Sequence, residues 1–140
     1  RTKISQVLAQ VYVIAEKHGL AVANVFHAGD GNLHPNLMFD AREPGTVERV
    51  LACGVELMRL CVDAGGSISG EHGVGLEKRD FMPWLFDEGD LAAMRSLKGA
   101  FKAGDLYNPC KAFPTGRGCG EVTQAHIERA SAAIGADIYV

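Results

Sequence analysis

The sequence has no apolar run approaching the roughly 20 residues of a membrane-spanning helix. No signal-peptide pattern opens it either. It lacks a Lys/Arg cluster, and its net charge is −3; nucleic-acid binders carry a basic stripe, so nucleic acid is excluded as the main partner. Cysteine is sparse and scattered: Cys53, Cys61, Cys110 and Cys119 form no C-x-x-C pair and read as reduced thiols of a cytosolic protein. No P-loop and no G-x-G-x-x-G leading into a helix occurs, so no nucleotide fingerprint is present. Internal repeats and low-complexity blocks are also missing. What remains is a globular chain of 140 residues, long enough to build one core.

Apolar residues at Ile4, Val7, Leu8, Val11, Ile14 and Ala15 repeat with helical spacing. Gly19 after His18 is a C-terminal stop, which predicts a helix over 3–18. Residues 21–28 and 32–39 are strand-like, with Leu33, Leu37 and Phe39 on one face and His34, Asn36 and Met38 on the other. Asp30-Gly31 between them signals a hairpin. A two-residue turn sets His27 directly opposite His34; a three-residue turn sets His27 opposite Leu33 and turns His34 to the other face.

Pro44-Gly45-Thr46 breaks the chain, and Thr46 is placed to cap a second helix that Gly65-Gly66 ends. Ser67-Ile68-Ser69 is a candidate third strand. A third helix is expected from Asp87 or Asp90, with Leu91, Met94, Leu97 and Phe101 on one face. Residues 106–114 read as extended and proline-bounded, and 122–134 as a short surface helix. The order helix, strand, strand, helix, strand predicts an α+β fold. It is a ferredoxin-like antiparallel sheet with helices on one face, lacking its first strand, plus C-terminal helical additions. The start at Arg1 without Met, directly in an amphipathic helix, adds to the expectation of a piece of something larger.

His18 ends a helix, where the dipole favours a cation, and His126 reads as solvated. His27 and His34 differ because they flank a glycine-rich turn. At the expected register their Cβ atoms lie about 5 Å apart, close enough to share one ion or to hydrogen-bond each other. Gly70-Glu71-His72-Gly73 offers a carboxylate and a third imidazole on backbone that can approach a ligand closely. Two histidines and a carboxylate form the protein part of many metal sites with open positions. Glu71 is then the third ligand, or else a salt-bridge partner of Lys78 or Arg79. His72 is the candidate base. Asn36, two residues beyond His34, either meets a ligand or makes a local backbone contact. Asp30 is a turn residue, and Asn32 caps the turn or faces the site.

His27-Ala28-Gly29-Asp30-Gly31-Asn32-Leu33-His34-Pro35-Asn36 resembles a signature of the C-terminal domain of FAD-linked oxidases, a family that includes glycolate oxidase D subunits and D-lactate dehydrogenases. Gly65-Gly66-Ser67-Ile68-Ser69-Gly70-Glu71-His72-Gly73-Val74-Gly75 resembles its second signature. Leu106-Tyr107-Asn108-Pro109-Cys110-Lys111-Ala112-Phe113-Pro114 resembles its closing L-x-N-P-G-K-x-x-P segment. The three motifs occur in order and the resemblance covers 1–114, leaving 115–140 as a tail.

The resemblance implies a flavoenzyme that oxidises a 2-hydroxy acid to a 2-oxo acid, with FAD held mainly by an upstream domain. It implies a divalent metal (Zn, Mn or Fe) on His27, His34 and Glu71, with His72 as the base. It implies substrate contact at Asn36 and flavin contact at Asn108. It also implies an iron–sulfur electron-acceptor subunit as partner, and a cytoplasmic location or one peripheral to the inner membrane. Two departures weaken the closing motif: Cys110 replaces a glycine, which disfavours positive φ, and Ala103-Gly104-Asp105 replaces the usual Asp-Pro lead-in. The rival readings are a metal-dependent hydrolase, since the same residues suit activated water, and a non-catalytic interaction domain.

Overall fold

The computed structural model describes residues 1–101 and 107–114. The chain divides into two compact units, Arg1–Val74 and Gly75–Val140. No helix among the described residues is long and apolar enough to cross a membrane.

The first unit runs α1 (Ile4–Lys17), β1 (Ala21–His27), β2 (Asn32–Met38) and α2 (Thr46–Asp63). It is α+β with an antiparallel two-stranded sheet, the inner α-β-β-α of the expected ferredoxin-like order. Its core joins both helices to one sheet face. Val11, Leu20, Cys53 and Leu57 are buried, with Val22, Leu37 and Phe39 packed against them. Burying one such side chain is worth about 1.5–3 kcal/mol, so a core this small depends on every member.

Both helices end as their glycines predict. At the end of α1, Gly19 takes φ +66°, and the amides of Gly19 and Leu20 donate to Glu16 and Ala15. At the end of α2, Gly65 takes φ +85° and Gly66 donates to the Cys61 carbonyl. A Cβ on Gly66 would lie 2.9 Å from that oxygen, so both glycines are needed.

The N-terminus of α2 differs from expectation. Gly45 (φ +76°) is the cap, and Thr46 is the first helical residue. The Thr46 hydroxyl is buried. It donates to the Glu43 carboxylate and accepts from Arg49 at 2.7 Å, so it is engaged sideways and does not close the helix end.

Two further expectations are corrected. Ser67-Ile68-Ser69 forms no strand. Glycines bound it closely, and no third strand among the described residues pairs with it, so buried Ile68 anchors it instead. The hairpin register is also displaced: His27 pairs with Asn32, and His34 with Val25. A two-residue type I′ turn needs positive φ at both centres. Gly31 adopts it (φ +77°), but Asp30 is absent from the positive-φ residues. The chain instead uses a four-residue loop, closed by the Asp30 and Gly31 amides on the His27 carbonyl at 3.1 and 3.0 Å. The displacement is two residues, so parity survives and every side chain keeps its expected face.

In the second unit a 3-10 helix (Arg79–Trp84), not foreseen from the periodicity, precedes α3 (Glu88–Ala100). Asp87 caps α3 in a reciprocal capping box with Asp90. Leu91 is buried, but Leu97 and Phe101 are exposed. The segment expected to be extended is coiled: Asn108, Cys110 and Ala112 all have positive φ (46°, 60° and 74°). Lys98 Nζ holds it through the carbonyls of Asn108 and Lys111, and the Ala112 amide donates to the Gly75 carbonyl. Cys110 therefore keeps the conformation that a glycine would favour, at a cost of about 1–2 kcal/mol. It is disulfide-bonded, against the expectation of four reduced thiols; Cys53 and Cys61 form no disulfide. Residues 103–105, Cys119, His126 and the expected helix over 122–134 lie outside the described residues.

Candidate active site

Strand alternation puts Asn32, His34 and Asn36 of β2 on the sheet face opposite the core, with His27 of β1 beside them. His27 and His34 are diagonal neighbours, and their rings meet edge-on with centroids 5.4 Å apart. The glycine-rich segment after α2 comes to this same face. Gly70 packs on the Asn32 amide. Glu71 Oε1 lies 3.5 Å from both His27 Nε2 and His34 Nε2. The His72 ring stands 5.0 Å from that of His34, centroid to centroid, and its Nε2 is 3.6 Å from Glu71 Oε1. Gly73 (φ +84°) then turns the chain.

These distances bear on the readings left open. An N–H···O hydrogen bond spans 2.7–3.2 Å, so 3.5 Å is too long for one. No hydrogen bond between His27 and His34 occurs among the described residues. Two donors bound to one cation at about 2.0–2.2 Å with a tetrahedral angle lie about 3.4 Å apart, close to what is found. The ligand atoms of His27, His34 and Glu71 all fall within 4.8 Å of one another. Among the described residues His34 Nε2 is buried without a hydrogen-bond partner, an unmet polar atom turned toward the carboxylate. Burying such an atom costs about 1–3 kcal/mol unless something binds it. Two imidazoles and one carboxylate suit a divalent ion of the Zn, Mn or Fe type, so the donor set fits the metal that the motifs imply. His72 is outside this group, and its side chain is 70% exposed.

Asn36 sits on the site face, but its Nδ2 donates to the carbonyls of Ala23 and His34. Its Oδ1 makes no hydrogen bond among the described residues. Asn108 belongs to the second unit, where its Oδ1 accepts from Lys111 Nζ at 3.1 Å. His18 is structural: its Nε2 lies 2.9 Å from Glu56 Oε1. Hydrogen bonds from Lys17 first, and from His18 second, hold the Glu56 carboxyl below its ordinary pKa. Asp40 is pulled down to about 2 in the same way by Arg42. Both acids lie outside the histidine cluster.

The sequence matches the family described as FAD linked oxidases, C-terminal domain, over residues 1–112. The chain belongs to this family. Among the relatives of this FAD-linked oxidase C-terminal domain is the glycolate oxidase subunit GlcD of Escherichia coli (strain K12). It is 42% identical over 127 residues, covering 91% of this chain and 26% of that protein. The GlcD subunit of Bacillus subtilis (strain 168) is 35% identical over 113 residues, 81% of this chain and 24% of that protein. The D-lactate dehydrogenase of Archaeoglobus fulgidus is 34% identical over 110 residues, 78% of this chain and 24% of that protein. This domain thus spans about a quarter of the length of these relatives.

Sequence reasoning named every side chain of the cluster but left Asn32 between two minor roles. Its contact with Gly70 had no local signal beyond the asparagine itself at the start of β2.

Proposed function

We propose that this chain supplies the metal and substrate side of an FAD-dependent enzyme that oxidises a 2-hydroxy acid, of the glycolate or D-lactate class, to the 2-oxo acid. The observation that carries the reading is the convergence of His27, His34 and Glu71 beside His72 on one sheet face, in a chain of the FAD-linked oxidase family. His27, His34 and Glu71 hold the divalent cation. When bound, the cation supplies positive charge that lowers the pKa of the substrate hydroxyl, and FAD supplies the two-electron acceptor.

The residues of this chain position the substrate and move its proton. His72, exposed beside the cluster, receives the α-hydroxyl proton at Nε2; imidazole suits proton transfer near neutral pH. Asn36 has committed its amide donor to the backbone. Its remaining oxygen is an acceptor, which matches the substrate's hydroxyl better than its carboxylate. Asn108 lies in the segment assigned to the flavin. FAD would be held mainly by an upstream domain, and an iron–sulfur subunit would supply the electron acceptor. The assembly is cytoplasmic, peripheral to the inner membrane through its partner subunits.

The test is His72→Ala in the full-length enzyme. Flavin reduction by substrate should be lost while FAD stays bound, and unchanged reduction rates would remove the role of His72. A flavin-free full-length protein would favour the hydrolase reading, and failure to take up metal would favour the non-catalytic one.

A further inference from the structure

We propose that Asn32 and Gly70 form a positioning wedge that sets Glu71 against His27 and His34. The inference rests on the metal reading above and concerns how that donor set is assembled. Glu71 stands far along the chain from both histidines, and the segment carrying it is irregular. No ladder of strand hydrogen bonds fixes its height over the sheet, so a specific contact must do so.

Gly70 is where such a contact is visible. A Cβ built on Gly70 would lie 2.6 Å from Asn32 Cγ and 2.7 Å from Asn32 Nδ2, with Oδ1 also inside contact distance. All three atoms belong to the amide, so the Gly70 backbone lies against the Asn32 side-chain group. Asn32 is half-buried and tied to the sheet by pairing with His27, itself a proposed ligand. It also stands two residues from His34 on the same face. The amide is thus fixed to the hairpin that carries both histidines, and it meets the residue immediately before Glu71. Ile68, buried two residues before Gly70, and Gly73, turning with φ +84°, bound the segment on either side. Asn32 therefore acts through Glu71 and is a positioning residue. The space between them admits a side chain only if the Asn32 amide shifts, which accounts for glycine at a position where no positive φ requires it.

The chemistry predicts coupling of a particular sign. Gly70→Ala forces a methyl group into the amide: either Asn32 rotates away and the wedge is lost, or the segment lifts and carries Glu71 off. Asn32→Ala removes the wedge directly. In the double variant the new methyl fills part of the space the amide vacated, so the second change repairs some of the damage of the first. A role confined to general folding would not produce that repair in metal affinity.

The test is a double-mutant cycle in the full-length protein. It reads Zn2+ affinity by competition with a chromophoric chelator, and the visible absorption of bound Co2+ as a report on coordination. Each single variant should weaken Zn2+ binding by about 10–100-fold, the usual effect of losing support behind a ligand. The double variant should recover roughly tenfold over Gly70→Ala alone. Wild-type affinity in Asn32→Ala, or losses that simply multiply in the double variant, would overturn the wedge. If Gly70→Ala fails to fold, refolding on addition of Asn32→Ala supports the wedge, and a double variant that stays unfolded overturns it. A wild-type protein that takes up no Zn2+ overturns the metal reading and the wedge with it, whereas tight wild-type binding with an indifferent Asn32→Ala overturns the wedge alone.

Discussion

Replacing His34 by alanine should weaken metal binding more than the same change at His27. Structural zinc sites with four ligands bind with about 10–16 kcal/mol, a share of roughly 3 kcal/mol per ligand, or about two orders of magnitude in Kd. His34 should contribute a full share. Its side chain is only 22% exposed, and its Nε2 is buried with no competing hydrogen-bond partner among the described residues. Water cannot easily take its place. The His27 side chain is 52% exposed, so a water molecule can replace its nitrogen, and the loss should be nearer tenfold. His72→Ala should change metal affinity little, because His72 is outside the group of converging donors. Titration of the metal-free full-length protein with Zn2+ against a chromophoric competitor measures all three. Binding by His34→Ala within about threefold of the wild type, or a loss in His72→Ala as large as in His34→Ala, would refute these ligand assignments.

Three predictions concern the scaffold. Leu57→Ala, at a position 3% exposed in the core between α1, α2 and the sheet, should destabilise the fold by about 2–5 kcal/mol in urea unfolding. Gly65→Ala places a Cβ at φ +85° and should cost about 1–2 kcal/mol, whereas alanine at Gly54, inside α2 with open space around it, should be neutral or stabilising. The Glu56 carboxyl, bound by Lys17 and His18, is held below its ordinary value of 4.5. Its stabilisation is therefore fully present above that pH and is lost as pH falls through the lowered folded value. The stability difference between wild type and Glu56→Gln should shrink as pH falls below about 5; a difference that grows toward low pH would contradict the assignment.

Local chemistry was legible in the sequence. The repeat of Val7, Val11, Ile14 and Ala15 with the stop at Gly19 located α1 within a residue at either end, because helix period and left-handed glycine are properties of a few neighbours. Alternation along 32–38 assigned His34 and Asn36 to one face, and that assignment survived a wrong register because the error was an even number of residues. The identities of His27, His34, Glu71 and His72 as one group were legible through their motifs.

What only the tertiary structure decided were the features that depend on distant partners. The hairpin loop avoided positive φ at Asp30 and recruited Ala28 and Gly29. Thr46 surrendered its cap to Gly45 because Glu43 and Arg49 engage its hydroxyl. Ser67-Ile68-Ser69 pairs with no strand among the described residues and became the lead-in to the site. Cys110 adopted a glycine's conformation where Lys98 holds its segment through the carbonyls of Asn108 and Lys111. The arrival of Glu71 at 3.5 Å from two histidines likewise has no local cause: periodicity cannot aim an irregular segment, and here the contact of Gly70 with Asn32 does so.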